Sequence, residues 1–259
     1  MAPGSALSEN EFDTHSGIAL VTGGSGGIGA AIVRLLVQAG SRVALTYRSR
    51  RPESLLAELG DHVEAHQLDV TNAARSSEIV ADLLSRHGAV HTLVHAAGPH
   101  VPLSYLSTVT PAQFEEQIRN DLVGYFAVVH AALPALRDSH GSITVVTTAA
   151  TRRYPARDGL SAAPKGGVEA LSRGIALEEG RFGIRVNCVG PGMLTDGMAE
   201  RLIANGDMSE RALDVARENI PLRRFGTAED IAQVVVFLAS DRAQFISGQK
   251  IDVDGGYGV

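Results

Sequence analysis

The chain has no tryptophan, a single cysteine and only 5% aromatic residues. One cysteine, Cys188, excludes an internal disulfide. It lies in the apolar run Ile184–Val189 and reads as a buried strand thiol, with no cationic partner nearby in sequence to activate it. No stretch reaches the roughly 18 apolar residues of a membrane span, so no membrane association is expected. The N-terminus lacks a basic region followed by an apolar core, so no signal peptide is apparent and a cytoplasmic protein is the default expectation. Positive charge is not in excess either: 23 Lys and Arg stand against 29 Asp and Glu, for a net charge of −6. That balance argues against nucleic-acid partners, which need clustered cations, but leaves room for a local basic pocket for one phosphate. No metal site is expected. What remains is an ordinary globular composition over 259 residues, 44% hydrophobic and 20% charged, enough to bury a full core.

Residues 1–16 are polar, without periodicity, and read as a loose arm; one domain is expected over 17–259. From Gly17 onward, short apolar runs alternate with longer amphipathic stretches, the pattern of βαβ units and a parallel sheet. Strands are predicted at Ile18–Val21, Arg42–Tyr47, His62–Leu68, Thr92–His95, Gly141–Thr147, Ile184–Val189 and Lys250–Val253. Helices are predicted at Ala30–Gln38, Pro111–Leu136, Pro164–Glu178 and Ala228–Ser240. Pro164 then falls in a first helical turn, where proline is tolerated. The segment Met193–Asn219, with a polar helical stretch over Gly197–Asn219, reads as an excursion that caps a pocket for a medium-sized, partly apolar ligand.

The first strand runs into Thr22-Gly23-Gly24-Ser25-Gly26-Gly27-Ile28-Gly29, which opens the first helix. Glycines there let the backbone turn sharply and approach a pyrophosphate, while the helix N-terminus presents unpaired N–H groups to the anion. The plain alternative is a tight βα turn. The residues after the second strand discriminate between dinucleotides. An acidic side chain would accept from a ribose 2′-hydroxyl, but the sequence has Thr46-Tyr47-Arg48-Ser49-Arg50-Arg51. Cationic and hydroxyl donors suit a 2′-phosphate, so NADP (NADPH) is the expected cofactor, with Arg48 and Ser49 its main donors and Arg50 and Arg51 as solvated charges in the alternative.

These residues resemble the short-chain dehydrogenase/reductase family. Thr22–Gly29 is similar to its Thr-Gly-x-x-x-Gly-x-Gly pattern, and other segments follow in order. Asp69-Val70 stands where the family contacts adenine. His95-Ala96-Ala97-Gly98 stands in for an Asn-Asn-Ala-Gly segment. Pro191-Gly192-Met193-Leu194-Thr195 resembles Pro-Gly-x-x-x-Thr, whose threonine binds the nicotinamide amide, and Ser247-Gly248-Gln249 through Asp254-Gly255-Gly256 resembles the C-terminal signature. The resemblance spans about 17–258. It implies a Rossmann-type doubly wound parallel sheet in a single domain, a small-molecule substrate, a site at the C-terminal strand ends, and a homo-oligomer, either tetramer or dimer.

The family's catalytic set is Asn, Ser, Tyr and Lys. Lys165 fits the lysine, and four residues before it, where the family keeps tyrosine, stands Ser161. The serine position falls on Thr148 and the asparagine position on Asp121, with Asn120 beside it. A threonine keeps the hydroxyl, and Asp121 changes charge and donor capacity. The missing phenol matters most, because a serine hydroxyl is a far weaker acid. Enoyl-carrier-protein reductases place their tyrosine seven residues before the lysine, which here is Asp158. 2,4-Dienoyl-CoA reductases share the serine and lysine but have a tyrosine where this chain has Ala150. Tyr154 is the nearest tyrosine: it either folds back into the site as proton donor or lines the pocket or packs on a neighbouring subunit. His95 touches adenine or the helix of Asp121, and His100 lies on the next loop, facing substrate or solvent.

Two functions follow. The first is an NADP(H)-dependent oxidoreductase in which Lys165 holds the nicotinamide ribose. Thr148 and Ser161 hydrogen-bond the oxygen of a carbonyl, an enone or an enoyl thioester. The alternative is a cofactor-binding protein of the same fold without redox turnover, a regulatory subunit or a non-redox enzyme.

Overall fold

The computed structural model describes residues 11–99, 101–195 and 210–259. Seven strands occur among them: β1 Ile18–Thr22, β2 Val43–Tyr47, β3 Val63–Gln67, β4 Val90–His95, β5 Ser142–Val146, β6 Arg185–Pro191 and β7 Lys250–Val253. The α-helices are α1 Gly27–Gln38, α2 Glu53–Leu59, α3 Ala73–His87, α4 Pro111–Ile118, α5 Gly124–Ser139, α6 Gly159–Glu179, α7 Glu210–Glu218 and α8 Ala228–Ala239. All strand pairs are parallel, in the order β3-β2-β1-β4-β5-β6-β7.

The central strands are buried on both faces, as a parallel sheet covered by helices requires. Along β1 the side chains alternate: Ala19 and Val21 join α1 and α8, whereas Ile18 and Leu20 join α3, α5 and α6. The result is a Rossmann-like doubly wound fold, a single domain with one core on each face of the sheet. Helix boundaries follow local chemistry. Asn72 caps α3 through Arg75 N, and left-handed Gly88 ends it. Thr110 with Gln113 and Thr227 with Asp230 form capping boxes at α4 and α8.

Three expectations change. The stretch read as a loose arm is packed from residue 11 onward. Phe12 is 1% exposed, sits in the core beside α1, and donates its N–H to Ala39 O at 2.9 Å. One phenylalanine in a polar segment carries too little periodicity to show as structure. The helix predicted over Pro111–Leu136 is interrupted by a π-helical turn at Arg119–Val123 between α4 and α5. The helix predicted from Pro164 begins at Gly159, so Pro164 lies inside α6 rather than in its first turn. It lacks the N–H that would reach Leu160 O, a local weakness that the buried neighbours Leu160, Ala162 and Val168 offset.

Candidate functional site

β1 lies between β2 and β4, so the strand order reverses there and leaves a crevice at the C-terminal strand ends. The glycine loop and the Ala96–Gly98 segment meet over that crevice. Gly23 has φ +69, and a Cβ on it would stand 2.6 Å from Ala97 Cα. A Cβ on Gly29 would come impossibly close to Gly23 O. Gly23 and Gly29 therefore serve the close packing of loop, helix and strand. Gly27 differs: a Cβ there would meet nothing within 4 Å, and Ser25, Gly26 and Gly27 are exposed. Gly26 provides no side-chain cap to α1, so the N–H groups of the first turn, with Ile28 half-buried behind them, face open space. This cradle fits the pyrophosphate of a dinucleotide. Thr46, at the head of the segment read for dinucleotide choice, holds it from β2: its buried Oγ1 accepts from Gly23 N at 3.2 Å.

Beyond β2, Tyr47 is half-buried while Arg48 and Ser49 are exposed. Arg51 pairs with Glu53 at 3.3 Å. Asp69 Oδ1 accepts from Thr71 Oγ1 at 2.7 Å and Thr71 N at 2.9 Å. These bonds hold its carboxyl below the usual range. Val70 supports the crevice wall, since a Cβ on Gly124 would lie 2.7 Å from Val70 Cγ2.

His95 is buried under this wall. Its Nδ1 lies 2.9 Å from Thr22 Oγ1, and its ring is 5.2 Å from that of Tyr125 on α5. Burial, reinforced by the nearby Lys165 charge, pushes its pKa down to about 3, so it stays neutral at working pH. His100 lies outside the described residues. Cys188 is a buried β6 thiol, and burial raises its pKa to about 11.

The π-helical turn carries Asp121, which is 2% exposed. Its Oδ1 accepts from Lys165 Nζ at 2.6 Å and its Oδ2 from Gln117 Nε2 at 2.6 Å. A Cβ on Gly98 would lie 3.1 Å from Lys165 Nζ, so the glycine leaves room for the ammonium beside the cofactor crevice. Ser161 is one turn before Lys165 on α6. Thr148 follows β5 in an extended conformation, and its Oγ1 accepts from Ala150 N at 3.1 Å, leaving the hydroxyl proton free to donate.

Thr148 and Ser161 line one cavity of about 330 Å³ with Asp158, Pro191, Gly192 and Tyr257. Met193, Ala216, Asn219 and Ile220 also line it; the rest of the segment read as a capping excursion, 196–209, lies outside the described residues. Thr195 binds back to Gly226 O through its N at 2.9 Å and its Oγ1 at 3.3 Å. Tyr154 is 60% exposed and does not line the cavity, although Pro155 and Ala156 beside it do. Sequence reading also missed Tyr257, whose ring lies 4.5 Å from the Arg153 guanidinium.

Asp158 stands just before α6, and its carboxyl makes no capping bond. Burial raises its pKa to about 6. A folded-state value above the ordinary carboxylate range means that stability is lost as pH rises through about 4 to 6 and is fully present below that window. Asp158→Asn is therefore expected to raise unfolding free energy at pH 7 by on the order of 1 kcal/mol, discounted for the group's partial exposure. The gain should vanish near pH 4. Urea unfolding at the two pH values checks this, and equal midpoints for both proteins at pH 7 contradict it.

The geometry agrees with comparisons to known proteins. Residues 23–258 match the family model described as "Enoyl-(Acyl carrier protein) reductase". The chain is 34% identical over 244 residues to a 3-oxoacyl-[acyl-carrier-protein] reductase of Staphylococcus epidermidis, covering 92% of this chain and 97% of that one. It is 32% identical over 239 residues to the L-fucose dehydrogenase of Mus musculus, covering 92% and 87%. The solved structure of ElxO with NADP bound superimposes with a TM-score of 0.86 at 26% identity, covering 93% of this chain and 98% of that one. With its glycine loop, doubly wound sheet and these relatives, the chain belongs to the short-chain dehydrogenase/reductase family of oxidoreductases.

Proposed function

We propose that the protein is an NADP(H)-dependent reductase of a carbonyl, enone or enoyl thioester that works without the family's tyrosine. The observation that carries this reading is the single cavity lined by Thr148 and Ser161, with Lys165 one turn beyond Ser161 and directly against Gly98 at the cofactor crevice.

The cofactor, when bound, supplies the hydride. The first turn of α1 and the exposed Ser25, Gly26 and Gly27 would hold its pyrophosphate, and Arg48 and Ser49 its 2′-phosphate. Asp69 and Val70 would border the adenine, Ala96, Ala97 and Gly98 would form the floor, and Pro191, Gly192 and Thr195 would flank the nicotinamide. Lys165 would bind the nicotinamide ribose with the Nζ protons not given to Asp121. Thr148, whose acceptor side is already occupied, would donate to the substrate oxygen. Ser161, whose hydroxyl makes no hydrogen bond to any described residue, would donate beside it. Two preorganised hydroxyls favour a substrate whose oxygen gains negative charge. A small-molecule substrate suits the cavity volume.

NADPH fluorescence titration followed by a panel of ketones, enones and enoyl thioesters tests the proposal. Binding and turnover of at least one class are expected. Binding without turnover across the panel assigns the protein a non-redox role instead. Arg48→Glu should weaken NADPH binding about 10- to 100-fold, the loss of one charge-assisted contact, while NADH binding changes little. Equal losses for both nucleotides would rule out Arg48 as the 2′-phosphate donor.

A further inference from the structure

We infer that Asp158 is the proton donor of this site, filling the role left open by a serine at position 161. The inference rests on the reductase reading above.

Three features carry it. Asp158 shares the cavity with both hydroxyls that would bind the substrate oxygen. It lies three residues before Ser161, and its backbone carbonyl accepts from Ser161 N at 3.1 Å, so the carboxyl and the hydroxyl rise from adjacent points at the start of α6. Its carboxyl has no hydrogen bond or ion pair with any described residue, an unusual state for a half-buried acid.

The surroundings keep it an acid. Peptide dipoles at a helix N-terminus favour a carboxylate, yet burial outweighs them here and lifts the pKa to about 6. The cations near it are committed elsewhere. Arg157 donates to Leu103 O at 2.8 Å, Arg153 donates to Tyr257 O at 2.7 Å, and Lys165 is held by Asp121. Among the described residues, Tyr257 is the other titratable group on the cavity wall. His95 lies beneath the crevice, neutral, and Tyr154 faces outward.

In the step, the electrophilic carbon would take a hydride from bound NADPH, which is oxidised to NADP⁺, and the substrate π bond would break. The electron pair moves to the substrate oxygen, directly in a ketone or through the conjugated system in an enone. The Asp158 O–H bond breaks as the new O–H bond forms on the substrate, leaving Asp158 as carboxylate. Solvent, which reaches its exposed edge, returns the proton. The balance is one hydride and one proton added to the substrate.

Wild type, Asp158→Asn, Asp158→Glu and Tyr257→Phe are compared with the substrate found in the panel. In wild type, kcat/KM for reduction should fall about tenfold per pH unit above pH 6, because the active form is the protonated one. Asp158→Asn should lower kcat/KM at pH 6 about 100-fold or more and flatten the profile, with NADPH binding unchanged. Asp158→Glu should retain part of the rate, and Tyr257→Phe most of it. Carbon-13 NMR of aspartate-labelled protein, wild type against Asp158→Asn, should show one carboxyl titrating near 6 without substrate or cofactor. If wild type turns over and Asp158→Asn keeps its rate and profile, Asp158 is not the donor, whereas the reductase reading survives. A carboxyl titrating near 4, or loss of activity confined to Tyr257→Phe, also overturns the assignment. If wild type binds NADPH but reduces nothing, the reductase reading falls and the inference with it.

Discussion

Lys165→Met is expected to lower unfolding free energy by about 3–5 kcal/mol, and adding Asp121→Asn should recover most of that loss. The asymmetry comes from burial. Asp121 is 2% exposed and its two oxygens are held by Lys165 and Gln117, each at 2.6 Å. Without the ammonium, a carboxylate remains in a dry site with one amide donor, which is far more costly than never having had the pair. A neutral amide at 121 removes the stranded charge and still bonds Gln117. Urea unfolding of the four proteins closes the cycle. Strictly additive losses would mean that the two side chains are not energetically coupled.

Ser161→Tyr alone is expected to add little carbonyl reduction, whereas Ser161→Tyr with Asp121→Asn should add at least about tenfold more in kcat/KM. A tyrosine one turn before Lys165 becomes a useful acid only if the ammonium lowers its pKa from about 10. In this chain the ammonium already faces a carboxylate at 2.6 Å, and the field felt at position 161 is that of a neutralised pair. Replacing Asp121 by asparagine releases it. The cavity of about 330 Å³ leaves space for the ring. NADPH oxidation with a ketone panel reads the effect. Equal rates for the single and double variants would show that Asp121 does not restrain Lys165.

The same pair explains how the site hangs together. The acid at 121 compensates the Lys165 ammonium at 2.6 Å. The acid sits on the π-helical turn, 2.6 Å from Lys165 on α6. Lys165 is compensated by Asp121, and burial sets the acidity of Asp158. Positions 121, 158, 161 and 165 thus make sense as a set.

Much of this was legible in the order of residues alone. Alternating apolar runs and amphipathic stretches specify a parallel sheet, because strands covered on both faces must be apolar throughout and crossovers need helices. The glycine loop is equally local: its backbone requirements can be met by few residues, so Thr22–Gly29 marks the cradle without coordinates. Spacing placed Ser161 one turn from Lys165, and the family resemblance singled out Thr148, Asp121 and the strand-end segments. Other features depended on contacts between distant segments. Phe12 docks beneath α1 because a hydrophobic slot exists there, not because its neighbours predict structure. Asp121 lies 44 residues from Lys165, and their 2.6 Å contact joins α6 to a π-helical turn that no periodicity announces. Tyr154, close to the site in sequence, points outward, while Tyr257 arrives from the far end of the chain to line the cavity. Asp158 shows the division most sharply: its place before Ser161 is written in the sequence, but its acidity comes from desolvation, a property of the assembled walls around it.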